Sequence, residues 1–199
     1  MAEEKMLRAE LVRISKEVYD RGLVSAAGGN ISARVPGTSR VLIKPTGVRL
    51  RDLTPKNLIM IDLHGKIVKG KGKPSKDALL HINIYKVRGD VGAVIHAHSP
   101  IATAFAVSGM EIPTVTVQAK TVLGKIPVIT YAPPGSVKLA DLVNDAFLKS
   151  KVKAALLQCH GFLAVGQNLL EAFNNAELVE ETARVAFFAS QLTNKTVKH

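Results

Sequence analysis

Apolar residues at Met6, Leu7, Leu11, Ile14, Val18 and Tyr19 recur at helical spacing, which predicts an amphipathic helix that stops near Gly22. The pattern then turns β in character. Ile31 to Val35, Val41 to Lys44, Leu58 to Asp62 and Lys66 to Val68 read as short strands, the last two joined by the turn Leu63-His64-Gly65. Pro74-Ser75 predicts entry to a helix carrying Leu79, Leu80, Ile82 and Val87, with Ser75 as its cap and Asp77 in its first turn, where a negative charge suits the helix dipole. Gly92 to His96 is a short apolar strand, and Pro100 begins a helical run through Val107. Thr114 to Gln118 and Ile126 to Tyr131 read as strands. Pro133-Pro134-Gly135-Ser136 then caps a helix through Leu148. Ala154 to Gln158 and Phe162 to Val165 are strands flanking Cys159-His160-Gly161, and Asn168 followed by Glu171 opens a long final helix to about Leu192. Helices scattered among many short strands, without a regular βαβ beat, predict an α/β architecture in which helices cover a mainly antiparallel sheet.

Length and composition narrow this little. At 199 residues with 47% apolar and 22% charged content, we expect one domain spanning residues 1–199. Apolar stretches such as Ala154 to Leu157 are too short to span a bilayer, and the charged start Met1-Ala2-Glu3-Glu4-Lys5 is unlike a secretory signal. A single cysteine, Cys159, suits a reducing compartment, so a cytoplasmic protein with no membrane partner is expected. The net charge of +11 admits a polyanion, a phosphorylated substrate or a merely solvated basic surface. Basic residues are spread along the chain, loosely concentrated at Lys66 to Lys76, and aromatic residues are 5% with no Trp. A small anionic substrate therefore ranks ahead of nucleic acid.

Histidine placement changes the picture most. His64 falls in a turn and His199 at the chain end, positions expected to be solvated. In His96-Ala97-His98, alternation along a strand projects two imidazoles to one side, half of a metal site. His160, beside Gly161 between two apolar strands, reads either as the third ligand of a site with an open position or as a hydrogen-bonded core histidine. Cys159 is expected to be a buried small hydrophobe rather than a ligand. Asp77 and His81 share a helical face at i, i+4, and either could reach toward an ion. Asp77 is preferred, since a carboxylate beside a divalent cation can ligate it and, once displaced, act as a base. Two glycine turns, Ala26 to Ser32 and Lys44-Pro45-Thr46-Gly47, together with Ser75 and Lys76 at a helix start, offer the backbone N–H groups and neutral donors of an anion cradle.

Six segments in this order carry a resemblance over nearly the whole chain: Gly29-Asn30-Ile31-Ser32, Pro45-Thr46-Gly47, Lys73-Pro74-Ser75-Lys76-Asp77, Val94-Ile95-His96-Ala97-His98-Ser99, Tyr131-Ala132-Pro133 and Leu156 to Gly161. They resemble the class II aldolase family that includes L-fuculose-1-phosphate aldolase and L-ribulose-5-phosphate 4-epimerase. By that resemblance His96, His98 and His160 match the zinc ligands, with Mn2+ or Co2+ as other ions that imidazoles suit. Asp77 matches the acidic ligand and catalytic base. Gly29, Asn30, Thr46, Gly47, Ser75 and Lys76 match the phosphate cradle, Lys76 standing where the fuculose-phosphate enzyme commonly has serine. The resemblance implies a three-layer α/β/α sandwich, a homotetramer with active sites at subunit interfaces, and reversible aldol cleavage of a phosphorylated sugar to dihydroxyacetone phosphate and an aldehyde through a zinc-stabilised enediolate.

The chain also departs from that pattern. The family's acid is usually glutamate, one methylene longer than Asp77. The fuculose-phosphate enzyme has a tyrosine after its Ile-Pro strand where Val117 stands here, and its C-terminal extension has no counterpart. Decarboxylation of a 3-oxo-sugar-acid phosphate and dehydration of a methylthioribulose-type phosphate use the same retained residues, and Pro74-Ser75-Lys76 is closer to the decarboxylase pattern. Adducin head domains, binding modules on this fold without a complete metal site, are the non-enzymatic alternative.

Overall fold

The computed structural model describes residues 2–149 and 151–195, with side chains to residue 192, so His199 lies outside the described residues. Helix α1 (Ala2–Asp20) buries Leu11, Ile14 and Val18 on one face and carries Glu3 and Glu4 in its first turn. The strands are β1 (Asn30–Arg34), β2 (Arg40–Ile43), β3 (Ile59–Asp62), β4 (Ile67–Lys69), β5 (Ala93–Ala97), β6 (Val128–Ile129), β7 (Ala154–Leu157) and β8 (Gly161–Gly166). They form one eight-stranded sheet in the order β4-β3-β2-β1-β5-β8-β7-β6. Neighbours are antiparallel except β6 and β7, which run parallel.

Period-2 alternation sorts the strand side chains into two cores. Ile31, Leu42, Ile95, Phe162 and Ala164 pack under α1, α3 (Pro100–Val107) and α6 (Leu169–Lys195), with α4 (Val117–Val122) set against α6. Val41, Ile43, Val94, Leu163 and Val165 pack under α2 (Ala78–Val87) and α5 (Val137–Lys149). Helices thus cover both faces of the sheet. Each large side chain taken out of water contributes about 1.5–3 kcal/mol, before the cost of ordering the chain. The cap signals at two helix starts are used: Ser136 Oγ accepts the Leu139 N–H (3.1 Å), and Asn168 Oδ1 accepts the Glu171 N–H (2.9 Å).

Three local expectations are corrected. Thr114 to Gln118 is not a strand: Thr116 Oγ1 accepts the Ala119 N–H (3.1 Å) and caps α4, so capping overrides the β propensity of that run. Its Val117 side chain is 83% exposed, with no sheet neighbour to pack against. Of Ile126 to Tyr131, only Val128 and Ile129 pair in the sheet. Helix α2 begins at Ala78 with Asp77 in the cap position, while Ser75 stands before it and only accepts the Asp77 N–H at 3.4 Å.

Candidate active site

The site forms at one end of the sheet, where β5 runs out, β1 begins and the β7–β8 turn crosses. Strand β5 carries His96, fully buried, on the same face as Val94, and His98 follows at the strand's end. His160 enters from the β7–β8 turn, 64 residues away in sequence from His96. The ring Nε2 of His96 lies 2.8 Å from that of His98 and 3.2 Å from that of His160. One nitrogen from each ring lies within 4.8 Å of the other two.

Burial disfavours the charged form of all three rings. It pushes His96 well below the ordinary imidazole range, reinforced by His98 and His160, and it lowers His98 and His160 as well. His96 Nδ1 donates to the Phe162 carbonyl (2.9 Å), which fixes the tautomer and leaves the Nε2 lone pair facing the other rings. Nitrogens about 2.0–2.1 Å from a tetrahedral zinc ion would be about 3.3 Å apart, close to the separations seen here. Three neutral imidazoles with converging lone pairs fit a divalent transition ion.

Asp77 Oδ2 stands 3.9 Å from His96 Nε2 and accepts the Asn30 amide Nδ2 (3.0 Å). Asn30 opens β1 directly opposite His96, so sheet register sets this contact. The predicted Lys44–Gly47 turn lies beside the segment that leads into α2. Thr46 N–H donates to the Lys73 carbonyl (2.9 Å), Ser75 N–H donates to the Lys44 carbonyl (3.1 Å), and Pro45 bridges Pro74. Thr46 and Gly47 are exposed on this rim, Ser75 is buried beside Asp77, and Lys76 is exposed at the turn.

Close approach explains two glycines. A Cβ on Gly29, whose φ is +64°, would lie 2.3 Å from Val24 Cγ1 and 2.8 Å from the His96 carbonyl oxygen. One on Gly161 would lie 2.3 Å from the Ala97 carbonyl oxygen and 2.6 Å from the His98 ring.

Lys44, to which sequence pattern assigns no role, is a buried cation whose ammonium donates to the Ala27 carbonyl (3.0 Å). Burial lowers its pKa, and the Asp77 carboxylate acts in the opposite direction. The available signal was its register: two residues past the inward Leu42, a lysine occupies a core-facing position. Cys159 corrects the opposite way. It is exposed at the apex of the turn with φ +58°, because the two strands need a left-handed residue there to reverse direction.

His81 does not join the cluster. It is fully buried, with Nδ1 2.7 Å from Ser32 Oγ, which lies 2.8 Å from the Tyr85 hydroxyl. Burial pushes its pKa from 6.5 to about 3. The unfolded chain therefore takes up a proton near pH 6.5 that the folded chain refuses until about pH 3, and stability falls as pH falls through that window. Between pH 7 and pH 5 this single group is expected to remove about 2 kcal/mol. H81Q should show an acid-side loss smaller by about that amount in urea midpoints at the two pH values; equal losses in both proteins would exclude His81 as the source.

A sheet end that gathers three imidazoles beside a carboxylate is able to hold a divalent ion, and the fold around it is that of the aldolase and lyase class. The chain belongs to the family described as Class II Aldolase and Adducin N-terminal domain, whose model matches residues 9–187. It is 34% identical over 183 residues to an L-fuculose phosphate aldolase of Methanococcus maripaludis strain S2, covering 92% of this chain and 97% of the relative. It is 35% identical over 182 residues to a 3-oxo-tetronate 4-phosphate decarboxylase of Haemophilus influenzae, covering 89% and 85%. Among solved structures, an L-fuculose 1-phosphate aldolase superposes with a TM-score of 0.88 at 30% identity, covering 94% of this chain and 87% of that one.

Proposed function

We propose that the protein is a zinc-dependent lyase that reversibly cleaves a short ketose phosphate of the fuculose-1-phosphate kind into dihydroxyacetone phosphate and an aldehyde. The observation that carries this reading is the meeting of His98 and His160 at His96, whose Nε2 lies within hydrogen-bond distance of both other rings, beside the Asn30–Asp77 pair. When bound, the ion supplies Lewis-acid stabilisation of the negative charge that develops on oxygen as the carbon–carbon bond breaks. The phosphate lies against Asn30, Thr46, Gly47 and Ser75, with the Lys44 ammonium behind them and Lys76 at the rim. Asp77, oriented by the Asn30 amide, takes the hydroxyl proton released as the new carbonyl forms and returns a proton to the carbon left behind. Proton count is conserved, as a reversible cleavage requires.

Decarboxylation of a 3-oxo-sugar-acid phosphate is the second reading. It is favoured by the similarity to the H. influenzae decarboxylase and by a lysine at position 76. A screen of phosphorylated ketoses and 3-oxo acids that reads dihydroxyacetone phosphate and carbon dioxide separately decides between them. Release of carbon dioxide without dihydroxyacetone phosphate overturns the aldolase reading.

The same reading includes a homotetramer in a cytoplasmic setting, with sites at subunit boundaries. Val107, Met110, Val115 and Val117 leave apolar surface near the turn that carries His160, where the Cys159 N–H meets the Ala106 carbonyl (3.4 Å) at the end of α3. No helix among the described residues is long and apolar enough to cross a membrane.

Lys44 provides a separate test of the cradle. K44M keeps the aliphatic stem but removes the charge, and a charged hydrogen bond is worth about 1.5–3 kcal/mol. KM for the phosphorylated substrate is expected to rise about 10–100-fold with a smaller change in kcat, and inhibition by inorganic phosphate should weaken in parallel. Unchanged phosphate inhibition would remove Lys44 from the anion site.

A further inference from the structure

We propose that Glu180, on the buried side of α6, is a positioning residue for the imidazole centre, acting through the first turn of α3 on His98. The inference rests on the metal-centre reading above.

Ser99 follows His98 and occupies the N-cap of α3. A serine there ordinarily accepts an N–H from its own helix. This one makes no such bond; its hydroxyl instead donates to Glu180 Oε2 at 2.6 Å. Glu180 takes over the capping from 78 residues further along the chain: Oε2 accepts the Ala102 N–H (2.9 Å) and Oε1 accepts the Ile101 N–H (3.3 Å). Pro100 has no N–H to satisfy. One carboxylate therefore meets the free donors of the first turn and also holds the residue next to His98. From the other side, the His98 N–H donates to the Leu23 carbonyl (3.0 Å), so the backbone carrying this ring is gripped on both flanks.

Stability alone does not call for this arrangement. Glu180 is 6% exposed and is the one acidic side chain among the buried described residues. Its nearest cation, Arg184, is half exposed and 3.7 Å away. Burying a carboxylate is costly, whereas Ser99 could cap α3 with a neutral oxygen, leaving an apolar residue at 180 to continue the stripe of Ala176, Val179 and Ala183. What the carboxylate adds is a set of short, directional, charge-assisted hydrogen bonds that tie α6 to the chain leaving His98. Rigid support of this kind holds a ligand ring to the tolerance a metal centre needs.

The test uses the full chain freed of metal. Zinc affinity is measured by chelator competition and the thermal midpoint is recorded on the same samples, for wild type, E180A, E180Q, S99A and, as a core control on the same helix, F173L. E180A is expected to bind zinc at least about 10-fold more weakly, in the range seen when outer-shell support of a metal ligand is lost. E180Q, which keeps the shape and one acceptor, should recover part of that loss. F173L should lower the midpoint and leave zinc affinity unchanged. Zinc affinity of E180A within twofold of wild type, with a midpoint shift like that of F173L, overturns the proposal and leaves Glu180 as an ordinary helix cap. Should E180A not fold, S99A removes the same link by one hydroxyl; several-fold weaker zinc supports the proposal and unchanged affinity overturns it. A wild type that binds no zinc defeats the metal-centre reading itself, a result distinct from indifferent variants of a zinc-binding wild type.

Discussion

H96A is expected to yield a folded protein with no stoichiometric metal and turnover at least about 10^3-fold below wild type, more than the 10–100-fold that loss of an outer-shell partner typically costs. His96 is the hub of the cluster: its Nε2 is the atom that approaches both other rings, at 2.8 and 3.2 Å. Two imidazoles then remain, too few for the three protein ligands of a catalytic zinc site. The fold should tolerate the change, because the side chain makes one hydrogen bond to the backbone, at Phe162, and its removal relieves a buried imidazole. Elemental analysis of the purified variant, with turnover on the substrate chosen by the product screen, checks the expectation. Full metal content with full activity would take His96 out of the site.

D77N is expected to separate binding from proton transfer. Asparagine matches aspartate in size and can still accept the Asn30 amide through its carbonyl oxygen, so the geometry recorded at 3.0 Å is retained while the base is lost. Metal content should stay near wild type and KM should change little. Turnover should fall about 10^2–10^4-fold, the usual contribution of a positioned acid–base group. D77E, which adds one methylene, should keep measurable activity, since Asp77 is 14% exposed at the side chain and borders the open end of the cluster. If D77N turns over as fast as wild type, the proton is handled elsewhere, and Asp77 serves only to position Asn30.

The histidine cluster of the candidate site is legible in the sequence because it rides on short local patterns. His96 on β5 and His98 just past its end share a side by strand alternation, and the β7–β8 turn brings His160 to them. Other features depended on long-range packing. Thr114 to Val117 has the β-branched composition of a strand, but no neighbouring strand offers it hydrogen bonds, and Thr116 starts a helix instead. Ser75 has the chemistry of a cap, yet its pairing with Lys44 holds it outside the helix. Lys44 and Glu180 were legible in principle as charges placed in buried register, one just past a strand and one on a helical stripe. What gives each a role is a partner far away in sequence, at Ala27 and at Ser99, which periodicity cannot reveal.

The two tightly packed glycines limit how this scaffold can diversify. A side chain at 29 would press on Val24 and the His96 carbonyl, and one at 161 on the Ala97 carbonyl and the His98 ring, so the floor of the candidate site tolerates no variation without losing its shape. Thr46, Lys76 and Val117 are exposed and can change without moving the main chain. Libraries aimed at a new substrate should be confined to such exposed positions, Thr46 and Lys76 for the phosphate end and Val117 for the rest, and naturally altered substrate choice is to be sought there first.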